Sequence, residues 1–242
     1  MSDSTAQELT NKSTGLNRQG VRGIIVQAIL IIIGFVILFI SAGQIDWVNG
    51  WVYVGLLSII QIVITVTLAK VNPQLLNERG SLVKQGAKGF DKVFLALYPI
   101  LSFGNLVVMG FDAVRYQWSS MPVWLGAAGV VMIILASVLA TWAMAVNKFF
   151  EWLVRIQDDR NQYVCMDGPY KVIRHPGYAG LIISVIAQPL ILGSYWGLVA
   201  YGLLAVIIVV RTALEDRTLQ NELTGYREYA QKVRYRLLPL VW

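Results

Sequence analysis

The chain has 242 residues, of which 56% are hydrophobic and only 14% are charged, and its formal net charge is +6. Soluble domains carry roughly 25% charged residues, so this composition excludes an ordinary water-soluble fold. The chain has one cysteine and one histidine. A disulfide within the chain is therefore excluded, and a zinc site or a cysteine-rich metal cluster is disfavoured.

The first predicted elements are a polar N-terminal segment and four long apolar runs. Residues 1–22 are polar and are predicted to be disordered and cytoplasmic. About 20 apolar residues in a helix cross the ~30 Å hydrocarbon core, and lipid admits only helices or closed barrels. The runs show no period-2 alternation, so we expect an all-α integral membrane protein with a four-helix transmembrane region at 23–146. The four uncharged runs are 23–40, 51–69, 93–111 and 123–146.

Two shorter apolar runs follow, at 179–192 and 196–210. With 14 and 15 residues they are marginal as independent spans, so we expect a C-terminal helical hairpin packed on the other helices. The cytoplasmic tail that follows mixes tyrosines with arginines and is typical of an amphipathic segment. A lid and an inert membrane anchor both fit this pattern, and the anchor is favoured.

The distribution of cations predicts the orientation. With the N-terminus in the cytoplasm, only Arg115 of the 20 Lys and Arg residues falls outside. This is a strong positive-inside bias. It predicts integral placement in the cell inner membrane, with the polar blocks 147–178 and 211–242 facing the cytoplasm. The cations flank spans and form no basic and aromatic platform, so no nucleic-acid partner is expected.

The stretch GPYKVIRHPGYAG, residues 168–180, contains the single histidine. Gly168 and Pro169 set a turn that presents Tyr170. His175 precedes a proline and is expected outside the following helix, with Pro176 at the helix start. A helix N-terminus suits a carboxylate. A ligand-binding turn and a plain helix-entry turn, with Arg174 at the headgroups, are both open.

Arg211 and Glu215 are four residues apart and so share one helix face. An ordinary ion pair is one interpretation. The other is a polar pocket at the membrane surface, because Arg211 directly follows an apolar run. The hairpin brings its two cytoplasmic ends together, so we expect Tyr178 and Arg211 to meet in one cavity.

The ordered set GPY…RHPGY, short hairpin, R-x-x-x-E-D and GYREY…RLLP resembles the isoprenylcysteine carboxyl methyltransferase family, which looks related to phospholipid N-methyltransferases. The resemblance covers roughly residue 147 to the C-terminus, so 147–242 is expected to be a methyltransferase-like region with a cofactor loop. It implies S-adenosylmethionine (SAM) as cofactor, no metal, and a lipophilic small-molecule or prenylated acceptor entering from the bilayer. A carboxylate acceptor is expected, as in isoprenylcysteine O-methylation.

The resemblance also implies site residues. Arg211 and Glu215 correspond to catalytic positions, with Arg211 on the acceptor and Glu215 also on the cofactor. Asp216 stands where a second glutamate is usual, and Gln162 to Cys165 match the family pattern poorly. The other implied cofactor contacts are Gln157, Gln162, Tyr163, Val164, Cys165, Tyr170, His175, Pro176, Gly177 and Tyr178.

Two alternatives compete with the methyltransferase. An NADPH-dependent membrane sterol-type reductase resembles the same terminal pattern but is typically longer. A non-enzymatic membrane scaffold or transporter is the other. A transporter is expected to carry ionisable groups within its spans, and the four long runs contain none.

Overall fold

The structure, a computed structural model, describes residues 15–80, 86 and 88–242. Residues 1–14 of the predicted disordered segment lie outside the described residues, whereas residues 18–22 are helical. The helices are α1 (Arg18–Ala42), α2 (Val48–Val71), α3 (Pro73–Arg79), α4 (Gly89–Gly110), α5 (Val123–Val146), α6 (Pro176–Leu192), α7 (Tyr195–Glu222) and α8 (Tyr226–Lys232). A π-helical turn, Phe111–Arg115, continues α4, and two 3₁₀ turns, Asp158–Arg160 and Gly168–Lys171, interrupt the loop between α5 and α6.

Within the described residues, five helices are long and apolar enough to cross a membrane: α1, α2, α4 with its π turn, α5 and α7. Their outer faces carry large exposed apolar side chains such as Ile32 on α1 and Val138 on α5, as lipid contact requires. The predicted all-α integral membrane class is confirmed. The second arm of the predicted hairpin is α7, which has 28 residues and is itself a candidate span, because the helix continues past Arg211 to Glu222.

Small residues allow the first hairpin arm to pack closely on α5. A Cβ atom at Gly129 would lie 2.8 Å from the carbonyl oxygen of Ala187, and one at Gly180 would lie 2.8 Å from that of Ala136. Neither position has room for a side chain, so the backbones of α5 and α6 are in near contact. Such small-residue seams are typical of helix packing in lipid, where close van der Waals contact drives association.

One buried amide ties three helices together inside the bundle. Gln188 Oε1 on α6 accepts hydrogen bonds from Tyr53 Oη on α2 at 2.5 Å and from Tyr201 Oη on α7 at 3.1 Å. Both tyrosines are almost fully buried. Their hydroxyl groups therefore need a partner within the protein, and Gln188 supplies it.

The two ends of the bundle differ in structure. We call the end where α1, α4 and α6 begin and α2 and α5 end the site end. There, Asn72 Nδ2 donates to Met144 O at 2.9 Å, which fixes the α2–α3 corner against α5. At the opposite end, which we call the far end, Asp112 in the π turn accepts hydrogen bonds from Ser119 Oγ at 2.6 Å and Ser194 Oγ at 2.5 Å.

The C-terminal tail folds back onto the loop that precedes α6. Arg174 N donates to Tyr235 O and His175 N donates to Arg236 O, both at 2.9 Å. Tyr226 and Tyr229 on α8 are buried. The tail is therefore packed protein structure around the site, and the favoured interpretation of it as an inert anchor does not describe this packing.

Candidate active site

A cavity of about 310 Å³ opens at the site end. Its walls come from the loop between α5 and α6 and from residues of all eight helices. The volume lies in the range of small-molecule sites, roughly 300–1,000 Å³. Every residue that the sequence predicted for the site lines this cavity except Pro176, which is buried at the start of α6.

Arg211 is held at the wall of this cavity by four groups. Its guanidinium contacts the ring faces of Phe94 and Tyr178, with Cζ 4.3 Å and 5.1 Å from their centroids. One terminal nitrogen donates to Tyr178 Oη, and the other donates to Trp152 O at 2.6 Å. Stacking and hydrogen bonding together fix the plane of the guanidinium. The expected meeting of the Tyr178 and Arg211 ends is thus present.

The ion-pair partner of Arg211 is Asp91 on α4, whose carboxylate is fully buried. Arg211 Nε donates to Asp91 Oδ1 at 2.6 Å, and Val154 N donates to Asp91 Oδ2 at 2.7 Å. The i,i+4 pair with Glu215 considered from the sequence is not among the ion pairs of the described residues. Asp91 thus connects the cavity arginine to both α4 and the loop.

Glu215 lies one turn beyond Arg211 and reaches the cavity through Tyr178. Tyr178 Oη donates to Glu215 Oε2 at 2.5 Å while it accepts from Arg211. Among the described residues this is the one hydrogen bond of the Glu215 carboxylate, so Oε1 can accept another. Arg211, Tyr178 and Glu215 form one connected polar group on the cavity wall.

A buried ion cluster supports the RHPGY turn from behind. Asp216, fully buried, accepts from Arg174 Nε at 2.8 Å and Nη2 at 2.9 Å, a bidentate pair. It also contacts His175 Nε2 at 3.2 Å and accepts from Arg236 Nε at 2.9 Å. The arrangement differs from the headgroup role considered for Arg174. Asp216, which stands where the family usually has a second glutamate, is the centre of the ion cluster that holds the turn in place.

Tyr226 completes this cluster. Its hydroxyl donates to Asp216 Oδ1 at 3.1 Å. Burial raises the pKa of Tyr226 above its ordinary value, so the phenol keeps the proton that it donates. The contact of His175 Nε2 with the carboxylate requires a proton on that nitrogen. His175 therefore contacts the cavity with its ring while its polar edge faces Asp216.

The two predicted glutamines, Gln157 and Gln162, form hydrogen bonds within the loop between α5 and α6. Gln157, 2% exposed, donates from Nε2 to Phe149 O at 2.8 Å and accepts from Arg160 Nη1 at 2.7 Å. Gln162 Oε1 accepts from Gln157 N at 2.8 Å. Both ends of the Gln157 amide are therefore engaged by the protein, and its contact with a cofactor stays a prediction.

The remaining predicted loop residues differ in exposure. Tyr163 is exposed and meets Phe149 edge to face at 5.0 Å between centroids. Tyr170 is buried, and its hydroxyl accepts from Asn147 Nδ2 at 3.0 Å. Cys165 is partly buried and donates weakly to Val146 O at 3.7 Å. Burial raises the pKa of the Cys165 thiol.

Gly177 has a packing role at the start of α6. A Cβ atom there would lie 2.4 Å from the ring of Phe150, a distance that no real contact reaches. Phe150 lines the cavity beside this helix end. Glycine therefore lets an aromatic ring close over the N-terminus of α6.

Sequence reasoning missed two residues of the site: Asp91, which is buried behind Arg211, and Arg79, which lines the cavity. Asp91 is a lone acid two residues before an apolar run, which was the available signal. Arg79, at the end of α3, lies over the rings of Phe150 and Trp152 with Cζ 5.3 Å and 4.7 Å from their centroids. Burial lowers the pKa of Arg79 to about 10, so its guanidinium is still protonated at neutral pH. No local motif marked Arg79.

The chain is similar to known proteins in sequence and in fold. Residues 129–221 match the model of the isoprenylcysteine carboxyl methyltransferase (ICMT) family. The predicted resemblance to this family is confirmed. The matched ICMT segment runs from α5 to the end of α7 and includes the RHPGY turn, Arg211 and Glu215.

Three similar proteins illustrate the breadth of this match. Uncharacterized protein YpbQ of Bacillus subtilis is 25% identical over 174 residues, 71% of this chain and 96% of that protein. Protein-S-isoprenylcysteine O-methyltransferase B of Arabidopsis thaliana is 25% identical over 52% of this chain and 63% of its own length. The probable protein-S-isoprenylcysteine O-methyltransferase of Oryza sativa subsp. indica is 28% identical, over 43% of this chain.

A solved structure shares the fold. The eukaryotic intramembrane Ras methyltransferase ICMT superposes with a TM-score of 0.62, covering 88% of this chain and 73% of that one, at 20% identity. This chain spans less than two thirds of the Arabidopsis and rice relatives, 63% and 56% of their lengths. The relatives with a named activity are isoprenylcysteine methyltransferases, and the fold is that of one such enzyme. These matches favour neither the sterol-type reductase nor the scaffold or transporter alternative.

Proposed function

We propose that the protein is a SAM-dependent methyltransferase that methylates an amphipathic or lipid-linked acceptor, with a carboxylate as the methylated group. The observation that carries this proposal is the connected group of Arg211, Tyr178 and Glu215 on the wall of one cavity. In this group the Arg211 cation suits an anionic acceptor, and the Glu215 anion suits a cationic cofactor. The family match to the same segment supports it.

The cavity residues fit SAM. Glu215 Oε1 has no hydrogen-bond partner among the described residues and can accept from a hydroxyl or an ammonium group of the cofactor. Arg79, still protonated, offers a cation for its carboxylate. Aromatic walls from Phe150 and Tyr163 suit a flat base. The predicted cofactor contacts, Gln157, Gln162, Tyr163, Val164, Cys165, Tyr170, His175, Pro176, Gly177, Tyr178 and Glu215, are proposed on this basis.

The reaction needs positioning more than proton transfer. SAM, when bound, supplies a methyl group on a sulfonium: the carbon–sulfur bond breaks, its electron pair stays on sulfur, and a bond forms to the acceptor oxygen. A carboxylate acceptor is already an anion, so no side chain has to remove a proton. Arg211 orients that anion, and its fixed plane is maintained by Asp91, Phe94 and Tyr178. Correct orientation alone supplies up to about 7–11 kcal/mol of such a barrier.

We further propose that the site end faces the cytoplasm of a bacterial-type inner membrane. The near-absence of cations from the far end supports this orientation, since Arg115 is the single Lys or Arg in its predicted loops. On the same proposal residues 23–146 are the anchoring helices and residues 147–242 the methyltransferase region. The first region also contributes to the site, because Arg79 lines the cavity and Asp91 pairs with Arg211.

Cofactor binding is tested with Glu215→Gln. Isothermal titration of SAM into the detergent-solubilised protein is expected to show at least a tenfold loss of affinity. Glu222→Gln is the matched control, because Glu222 lies on the same helix and is largely exposed in a pair with Lys88. Equal SAM affinity in wild type and Glu215→Gln would contradict the proposed role of Glu215.

Methyl transfer is tested on native material. Membrane lipid extract incubated with the enzyme and SAM carrying a deuterated methyl group is expected to yield a labelled product by mass spectrometry. Arg211→Ala is expected to bind SAM normally and yield no product, whereas the exposed control Arg217→Ala keeps activity. A wild-type protein that labels no compound in extract of its own membranes would contradict the methyltransferase.

A further inference from the structure

The cavity extends from the Arg211 group toward the middle of the bilayer and ends at a set of polar side chains. Five helices each contribute one of them, and we call this set the polar band: Gln27, Gln61, Tyr98, Ser137 and Ser184. At 1.5 Å per residue each lies about 12–15 Å from the site end of its helix. All five lie within the apolar runs of their helices, which places the band inside the ~30 Å hydrocarbon core.

The wall between the Arg211 group and the polar band is apolar. Four cavity residues each lie three positions nearer the site end than a member of the band: Ile64, Leu95, Ala140 and Leu181. Three residues are nearly one helical turn, so each pair shares a face. The cavity therefore presents an ionic end, an apolar stretch and a second polar end in sequence. Among the described residues that line it, none lies deeper than the band.

The band holds unused hydrogen-bonding capacity. Gln27 Nε2 donates to Gln61 Oε1, and Gln61 Nε2 donates to Thr65 Oγ1, both at 3.0 Å. Each amide has a second N–H, and within the described chain neither forms another hydrogen bond. Ser184 Oγ likewise has no partner among the described residues. Helix-to-helix bonding explains the single Gln27–Gln61 contact, but it leaves the second N–H of each amide and the Ser184 hydroxyl without a partner at this end of the cavity.

Unsatisfied amide groups are costly in a hydrocarbon setting. The unpaired N–H groups of Gln27 and Gln61 and the Ser184 hydroxyl therefore need an acceptor oxygen from the molecule that fills the cavity. The band lies about 10 Å beyond the Arg211 group, because Tyr98 is seven residues from Asp91 and Ser184 is six residues from Tyr178 on their helices. A plain prenyl or alkyl chain would leave these donors without a partner.

We propose that the acceptor of this enzyme is a lipid whose chain carries an oxygen function, such as a carbonyl, hydroxyl or ether, about 10 Å from the methylated atom. The polar band binds that oxygen, and the apolar stretch contacts the hydrocarbon between the two polar ends. This inference rests on the proposed methyltransferase function and narrows its substrate class. Such a substrate differs from a plain isoprenoid, whose chain is hydrocarbon throughout.

The test is the chemical structure of the labelled product. Wild-type enzyme, native membrane lipid extract and deuterated-methyl SAM are combined, and the labelled compound is fragmented by tandem mass spectrometry. The expected product has an oxygen function within its chain, separated from the methylated group by hydrocarbon. A labelled product with an all-hydrocarbon chain overturns the inference while leaving the methyltransferase intact. No labelled product at all contradicts the methyltransferase itself.

A variant pair links the product to the band. Gln61→Leu is expected to lower the yield of the labelled product at least tenfold with unchanged SAM affinity, which also reports that the protein is folded. Thr67→Val, on the same helix but not on the cavity wall, is the control and is expected to retain the yield. If Gln61→Leu forms an oxygen-bearing product in the same yield as wild type, the inference is overturned, because the polar band then does not bind that oxygen.

Discussion

Buried carboxylates at the two ends of the bundle have different kinds of partner. Asp216 at the site end is surrounded by cations, with Arg174 bidentate and Arg236 and His175 beside it. Asp112 at the far end meets neutral donors, the hydroxyls of Ser119 and Ser194 and one backbone N–H. Its Oδ1 has no partner among the described residues.

The difference shows where this chain requires fixed charge. At the far end neutral donors are enough to close a helix turn, since nothing there has to be oriented for chemistry. At the site end each buried anion is matched to an arginine, Asp216 to Arg174 and Asp91 to Arg211. Buried pairs of this kind add little net stability but are costly to break. They hold the RHPGY turn and Arg211 in defined positions.

Asp216→Ala is expected to have the largest effect on stability. Removing the carboxylate leaves Arg174 buried and without its ion-pair partner, and breaking such a pair costs about 3–5 kcal/mol. Thermal unfolding of the detergent-solubilised protein, followed by circular dichroism, measures the loss. Asp167→Ala, an exposed aspartate in the same loop, is the control. Equal melting temperatures for Asp216→Ala and Asp167→Ala would show that the buried ion cluster does not contribute to stability.

Asp91→Asn is expected to act on turnover more than on folding. The amide keeps the shape and can still accept from Val154 N, but it no longer pairs with Arg211. A small misplacement of an orienting group costs about 100-fold in rate, so kcat should fall by roughly that factor while SAM affinity stays near wild type. Steady-state kinetics measures kcat, and titration of SAM measures cofactor affinity, so the two effects are determined separately.

Asp91→Glu sharpens this test. It retains the charge but moves it, so a partial recovery of kcat is expected if Asp91 orients Arg211 through a direct ion pair. A variant series in which kcat follows only the melting temperature would indicate that Asp91 is merely structural.

Alkylation of Cys165, the single cysteine, reports on the occupancy of the cavity. Because burial raises the pKa of its thiol, the reactive thiolate is scarcer at neutral pH than in an exposed cysteine, and modification should accelerate as the pH is raised. Saturating SAM is expected to slow N-ethylmaleimide labelling several-fold, measured by intact mass. Labelling at the same rate with and without SAM would exclude Cys165 from the cofactor site.

Asp112→Asn is expected to have the smallest effect. The amide oxygen can take the place of Oδ2, which accepts both serine hydroxyls and the N–H of Trp196. No arginine is left unpaired, so the free energy of unfolding should change by less than about 1 kcal/mol. Methyl transfer should be unaffected. A large loss of stability here would show that the far end needs its negative charge as much as the site end does.

The sequence predicted the features that depend on local pattern. The apolar runs predicted the spans, and the turn residues of RHPGY predicted the start of α6 at Pro176. The distance along the hairpin predicted the contact of Tyr178 with Arg211, which is present. The site residues themselves are brought together in one cavity, but their roles stay predictions.

Other features depend on long-range pairing and had no local signal. Arg211 and Asp91 are 120 residues apart, and Arg174 meets Asp216 through the folding of α7 beside the loop. Arg79 enters the cavity because the α2–α3 corner turns it inward. The full length of α7 was underestimated because its polar last turns, from Arg211 to Glu222, do not continue the apolar run.

The near contact of α5 and α6 at Gly129 and Gly180 also limits how a lipid reaches the interior. Two backbones that almost touch leave no gap for an acyl chain, and widening the gap would sacrifice much of the packing that holds this helix pair together. This side of the protein is therefore a sealed wall. Any opening to the bilayer must form on another side, where bulkier and more adaptable side chains separate the helices.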